Sequence, residues 1–226
     1  QNPHVARLAM SAFYNVAPEN KLRVIAPDVG GGFGSKIYIY PEEIVCLWAS
    51  KKSGVPVKWV SDRTEAFLTD AHGRDHVTHV EMAFDKGNNI VGLKVDTIAN
   101  LGAYMSLFSS ATPTYLYATL LSGQYNIPAI HANVRTVYTN TAPVDAYRGA
   151  GRPEATFVME RTMETAAREL GVSPTELRRQ NFVKSFPHQT PVIMCYDAGD
   201  FSASLDAAMK AADYAGFEKR RAKAAK

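Results

Sequence analysis

The residues best suited to chemistry fall in two glycine-bearing stretches. In Asp145-Ala146-Tyr147-Arg148-Gly149-Ala150-Gly151-Arg152-Pro153-Glu154, two arginines and two glycines stand directly before a helical pattern. A helix N-terminus with arginines beside it suits an anion or a polarised oxygen. An ion pair from Arg148 or Arg152 to a nearby carboxylate fits the same residues. The second stretch is Val29-Gly30-Gly31-Gly32-Phe33-Gly34-Ser35-Lys36, with Phe33 its only bulky residue between Gly30 and Gly34. Glycines there remove side chains where backbone turns tightly or touches something closely. Either this is a tight connection with Phe33 plugging the core, or its N–H groups face an anionic or polar ligand. It lacks the Gly-Lys-Ser/Thr ending of a phosphate loop, and Ser35 takes the third glycine place of a dinucleotide fingerprint.

These stretches need elements to hold them. Leu22 to Pro27 reads as a strand entering the glycine loop. His4 to Val16 has helical apolar spacing, and Tyr40 to Gly54 reads as a helix with acids early, lysines late and glycine as stop. Val55 to Val60 reads as a strand, and Asp62 as the cap of a short helix, Arg63 to Thr69. Residues 76–84 and 90–98 form a hairpin around Asp85-Lys86-Gly87-Asn88-Asn89, with His76 and His79 taken as exposed strand residues. Asn100 to Tyr125, rich in aromatic and small residues, is either a cavity wall or a buried loop and helix. A strand over 130–140, a helix from Pro153 to Leu170, a capping-box start at Ser173 and one long final helix from Asp206 complete the pattern. Strands alternating with helices around a meander give an α+β class, a mixed sheet with packed helices.

Composition narrows the classes. The 226 residues are 46% hydrophobic and 21% charged, with a net charge of +3, ordinary for a globular protein and no case for nucleic acid. Cys46 and Cys195 lack the spacing of a zinc or iron–sulfur site, and are read as free thiols of a cytoplasmic protein. No apolar run reaches membrane-span length and no secretory signal opens the chain. Gln1 in place of Met, and a helical pattern running to Lys226, read as a piece of a longer chain.

Taken together, Gln1-Asn2-Pro3-His4, Gly30 to Lys36 and Asp145 to Glu154 resemble, in order and spacing, the first molybdenum-cofactor-binding domain of the xanthine dehydrogenase/aldehyde oxidase family. Asp62-Arg63-Thr64-Glu65 and Leu177-Arg178-Arg179-Gln180-Asn181 share the likeness, which covers residues 1–226 as one domain with the stretch from about 201 as a truncated connection. Within the family the chain is most similar to large subunits of the carbon monoxide dehydrogenase-like type. The resemblance implies a molybdenum–molybdopterin cofactor in its cytosine dinucleotide form, with iron–sulfur clusters on a small partner subunit and FAD on a medium one. The implied chemistry is hydroxylation of a small-molecule substrate with water-derived oxygen.

By the same resemblance Gln1 approaches an oxo ligand of the metal, and Gly31, Gly32, Phe33 and Gly34 lie against metal and pterin. Arg148 sits on the substrate side, where it stabilises negative charge growing on oxygen, and Gly149 and Ala150 continue that loop. No side chain here is assigned as a direct metal ligand, and the general base belongs to a part of the subunit beyond residue 226. The copper-binding cysteine of aerobic carbon monoxide dehydrogenases is Gly149 here, and the purine-contacting glutamate of xanthine oxidoreductases is Ile37. A small aldehyde or an N-heterocycle is therefore the expected substrate, with carbon monoxide, or a scaffold domain without catalysis, as the alternatives.

Overall fold

The computed structural model describes residues 2–225 and divides the chain into two compact units. The first takes the chain up to Val77, then Thr97–Ala118 and Val134–Glu154; the second takes Thr78–Asp96, Thr119–Asn133 and the chain from Ala155 on.

In the first unit, α1 (Pro3–Ala12) starts at a proline, and Asn2 ahead of it donates from its side-chain amide to the Ile37 carbonyl at 3.0 Å. The predicted helix to Val16 stops four residues early, because the Tyr14 and Val16 N–H groups bond back to Ala9 and Met10 in a wider turn. Helix α2 (Pro41–Ser53) agrees with its sequence signals: Glu43 accepts from the Tyr40 N–H at 3.0 Å, and Gly54 ends the helix at φ 73°. Helix α3 (Arg63–Thr69) is capped reciprocally by Asp62 and Glu65, at 2.8 and 2.9 Å. The strands expected at 22–26 and 55–60 do not form. Both segments lie outside every helix and sheet.

The main sheet has three strands, β1 (His76–Phe84), β2 (Ile90–Asn100) and β3 (Ile130–Val137), in that order across it. A five-residue turn joins β1 to β2, which requires an antiparallel pair. The Asp85 carboxylate holds that turn by accepting from the Gly87 and Asn89 N–H groups at 2.8 and 2.9 Å. Beside β2, the Leu93 N–H bonds to Ala129 and the Leu101 N–H to Val137, the same offset at both points, so β3 runs parallel. The sheet is mixed, as the sequence implied. The connection from β2 to β3 carries the aromatic segment, where residues 112–116 form a wide helical turn and Tyr117, Leu121 and Tyr125 are fully buried.

Helix α4 (Arg152–Leu170), in the second unit from Ala155 on, turns Ala155, Val158, Met159, Met163 and Ala167 inward, an i, i+3, i+4 stripe. The resembling stretch in α5 (Pro174–Asn181) acts as a clasp. Arg178 bonds Glu160 at 2.8 Å and Glu164 at 3.2 Å, and Asn181 bridges the Ile90 N–H and the Asn88 carbonyl at 2.8 and 3.0 Å. The Tyr125 hydroxyl donates to Glu160 at 2.7 Å, and burial raises its pKa well above the usual phenol range. Ser173 does not cap α5; its hydroxyl pairs with Thr175 instead. A short antiparallel pair, β4 (His188–Gln189) and β5 (Cys195–Tyr196), follows. The single final helix predicted from Asp206 is two, α6 (Phe201–Ala211) and α7 (Phe217–Ala224). Asp213 at φ 45° breaks the run, with a short turn over Tyr214–Gly216.

Candidate functional site

The two glycine-bearing stretches meet within the first unit. A Cβ on Gly34 would lie 2.8 Å from both the Ala146 oxygen and the Tyr147 Cα, so only glycine lets these backbones touch. Gly34 is at φ 82°, Gly31 at φ 126° and Phe33 at φ 51°. Phe33 thus carries a left-handed conformation that costs a non-glycine residue about 1–2 kcal/mol. Its ring folds over Gly31, and the Arg148 guanidinium carbon lies 4.7 Å from the ring centroid. At 47% exposure Phe33 is not a core plug. Among the described residues, the N–H groups of Gly30 to Gly34 meet no acceptor, while the Gly32 and Gly34 carbonyls accept from Lys36 and Ile37. The loop therefore presents free donors beside an exposed arginine.

On the facing loop, Gly149 and Gly151 are both at positive φ. A Cβ on Gly151 would strike the Leu116 and Tyr117 backbone at 2.4–2.7 Å. The Ala150 N–H bonds to the Tyr147 carbonyl at 2.8 Å and the Arg152 N–H to Gly149 at 2.9 Å, a tight turn into α4. Asp145, 2% exposed, anchors the start of this loop by accepting from the Phe108 N–H at 3.1 Å. The structure thus brings together Gly31, Gly32, Phe33, Gly34, Arg148, Gly149 and Ala150. Gln1 lies outside the described residues.

Sequence reasoning missed two supports. The first is Arg74, whose guanidinium donates to the Arg148 carbonyl and lies 5.4 Å from the Tyr147 ring. Its Nε is 3.6 Å from the Glu154 carboxylate, an ion pair rather than a hydrogen bond. Arg74 itself stands at φ 64°. Its neighbour Gly73 packs so close to Tyr147 that a Cβ there would lie 2.7 Å from the Tyr147 Cβ. Nothing in the local pattern marks Arg74, because its partners are more than 70 positions away.

The second support secures the far end of the glycine loop. Lys36 Nζ bonds the Tyr40 hydroxyl at 2.8 Å and Asp70 at 3.1 Å, and Tyr40 donates to Asp70 at 2.6 Å. Burial, reinforced by the Asp70 bond, raises the Tyr40 pKa and keeps the phenol protonated. A cavity of about 300 Å³ opens beside this cluster, with Gly31, Asn2 and Trp59 in its wall. A larger one, about 650 Å³, is lined partly by Tyr104 to Leu107, so the aromatic segment is part buried core and part cavity wall.

His76 is half-buried rather than exposed, its ring edge-on to Tyr117 at 5.0 Å. Burial lowers its pKa below 6.5, against the opposing pull of Glu154 and Asp75. The unfolded chain then binds the extra proton first, so stability is full above that pH and falls as pH drops below it. His76→Gln is expected to lessen this loss, read as the change in urea midpoint of the intact subunit between about pH 7.5 and about pH 5. An unchanged pH dependence would show that His76 titrates alike in both states.

Residues 1–182 match the family model described as the molybdopterin cofactor-binding domain. The chain belongs to this family. It is 40% identical over 221 residues to the carbon monoxide dehydrogenase large chain of Hydrogenophaga pseudoflava, and 35% identical over 228 residues to the nicotine 6-hydroxylase large subunit of Paenarthrobacter nicotinovorans. The alignments cover 95% and 100% of this chain but only 27% and 28% of those proteins. Among solved structures, quinoline 2-oxidoreductase from Pseudomonas putida 86 superposes with a TM-score of 0.91 at 32% identity, over 99% of this chain and 29% of that one. CO dehydrogenase from Oligotropha carboxidovorans superposes at 0.86 and 33%, over 98% and 28%. A molybdopterin cofactor-binding domain thus accounts for the chain's architecture, as its glycine and arginine motifs implied. No helix among the described residues is long and apolar enough to cross a membrane.

Proposed function

We propose that the chain is the first cofactor-binding part of the catalytic large subunit of a molybdenum hydroxylase, acting on a small aldehyde or an N-heterocycle with water-derived oxygen. The meeting of Gly30–Gly34 with Arg148 supports this reading: N–H donors without an acceptor lie in a loop whose Phe33 ring touches the Arg148 guanidinium and whose Gly34 packs directly on the facing backbone. Those groups fit a polyanionic pterin cofactor, which when bound supplies the two-electron redox centre. The backbone of Gly31, Gly32, Phe33 and Gly34 would hold the cofactor, with Gly149 and Ala150 continuing the Arg148 loop past it. Arg148 stabilises negative charge on substrate oxygen, and Arg74 fixes the backbone from which Arg148 projects. Gln1 lies near the cofactor in this reading, which includes the cytosine dinucleotide form, iron–sulfur and FAD partner subunits and a cytoplasmic location. The 226 residues alone are expected to be inactive, since the general base lies elsewhere in the subunit.

Carbon monoxide is the second reading, favoured by the 40% identity to a carbon monoxide dehydrogenase large chain. Against it, Gly149 occupies the place expected of a copper-binding cysteine, at φ 89°, with a Cβ there only 3.2 Å from the Pro153 ring. Cys46 lies in α2 and Cys195 in β5. Assaying the intact holoenzyme against aldehydes, N-heterocycles and carbon monoxide, with copper analysis, decides between the readings. Turnover of an aldehyde or heterocycle without copper is expected; stoichiometric copper with carbon monoxide oxidation would contradict it.

A further inference from the structure

We infer that residues 22–26 and 55–60 are strands whose pairing partner is a strand from the part of the large subunit outside residues 1–226, an inference that rests on the chain being a piece of such a subunit. Both segments have strand sequences. Val55-Pro56-Val57-Lys58-Trp59-Val60 places three large apolar residues on one face, with proline near the start, where a strand tolerates it. Leu22-Arg23-Val24-Ile25-Ala26 alternates half-buried and exposed along its length, the period of an extended strand lying on one face.

Neither segment has a ladder. Among the described residues, no backbone hydrogen bond is made by the N–H groups of residues 23–26 or 57–60. Every residue from 51 to 60 is exposed, Val60 at 71%, and Ile25 is 68% exposed. Two apolar, extended, unpaired segments in one unit are the edges that folded proteins cover. Helix α2 lies between them in sequence, the arrangement of strand, crossover and parallel strand. They do not bond each other, so a sheet that holds both needs another strand to reach them.

The occupant follows from chain length. The alignments span only 27–28% of two large-subunit relatives, so most of such a subunit is available to supply that strand. Strand addition would satisfy the open backbone groups and, with the rest of its domain, cover the face that carries Val55, Val57 and Trp59. A second copy of the same chain is the competing occupant.

Amide hydrogen exchange of the full-length subunit, read on peptides covering 22–27 and 55–60, tests this. Protection of about 100-fold or more over unstructured-chain rates, unchanged on dilution, is expected. In Val57→Pro, which cannot donate at that position, protection across 58–60 should drop while 90–96 stays protected. Free-chain exchange rates in the wild type, or protection that vanishes on dilution as for a second copy, would overturn the inference. Molybdenum content is measured on the same preparation, so a failure of the cofactor reading is seen separately from a failure of the strand pairing.

Discussion

Arg148→Ala in the intact enzyme is expected to lower kcat by about 10²–10³-fold, the typical loss when one charge-stabilising donor is removed from a preorganised site. Molybdenum and pterin content should stay at the wild-type level. The reason lies in how the residue is held. Arg74 grips the Arg148 carbonyl, not its side chain, so truncation leaves the loop backbone fixed. The guanidinium's contact with Phe33 is an exposed cation–π pair worth about 0.5–1 kcal/mol, so the thermal midpoint should move little. Arg148→Lys should recover part of the rate, since charge returns without the planar fork. Undiminished turnover in the alanine variant with full cofactor would remove Arg148 from the mechanism.

The second large effect is expected at Gly34. An alanine methyl there meets backbone atoms at 2.8 Å, which cannot rotate away as a side chain can, and the φ of 82° is strained for any L-residue. The two loops must then separate. Strain of about 1–3 kcal/mol at the contact would weaken cofactor retention about 5- to 150-fold. Metal and pterin analysis of purified Gly34→Ala checks this. Gly30→Ala serves as the control, because no atom lies within 4 Å of a Cβ at Gly30. If Gly34→Ala retained full cofactor and activity, the close approach of the two loops would have no part in binding.

Several elements were legible because their signals are local. The Asp62–Glu65 box and the hairpin at Asp85 are fixed by residues within a few positions of one another. Arg74, and the pairing of Lys36 with Asp70, were invisible for the opposite reason. Each acts through a partner tens of residues away, and neither charge nor spacing marks them in the chain. His76 was misjudged because alternation alone does not say which strand face is covered, and Tyr117 covers it. The segments at 22–26 and 55–60 fail differently. Their strand character is plain in the sequence, but a strand exists only with a partner, and none is within the described residues.

What the intact, matured large subunit carries decides whether these loops form a cofactor site. Metal analysis with pterin determination should find stoichiometric molybdenum and pterin in the wild-type enzyme, with both depleted in Gly34→Ala. A correctly matured wild-type subunit holding neither would show that the chain does not bind a molybdenum–pterin cofactor.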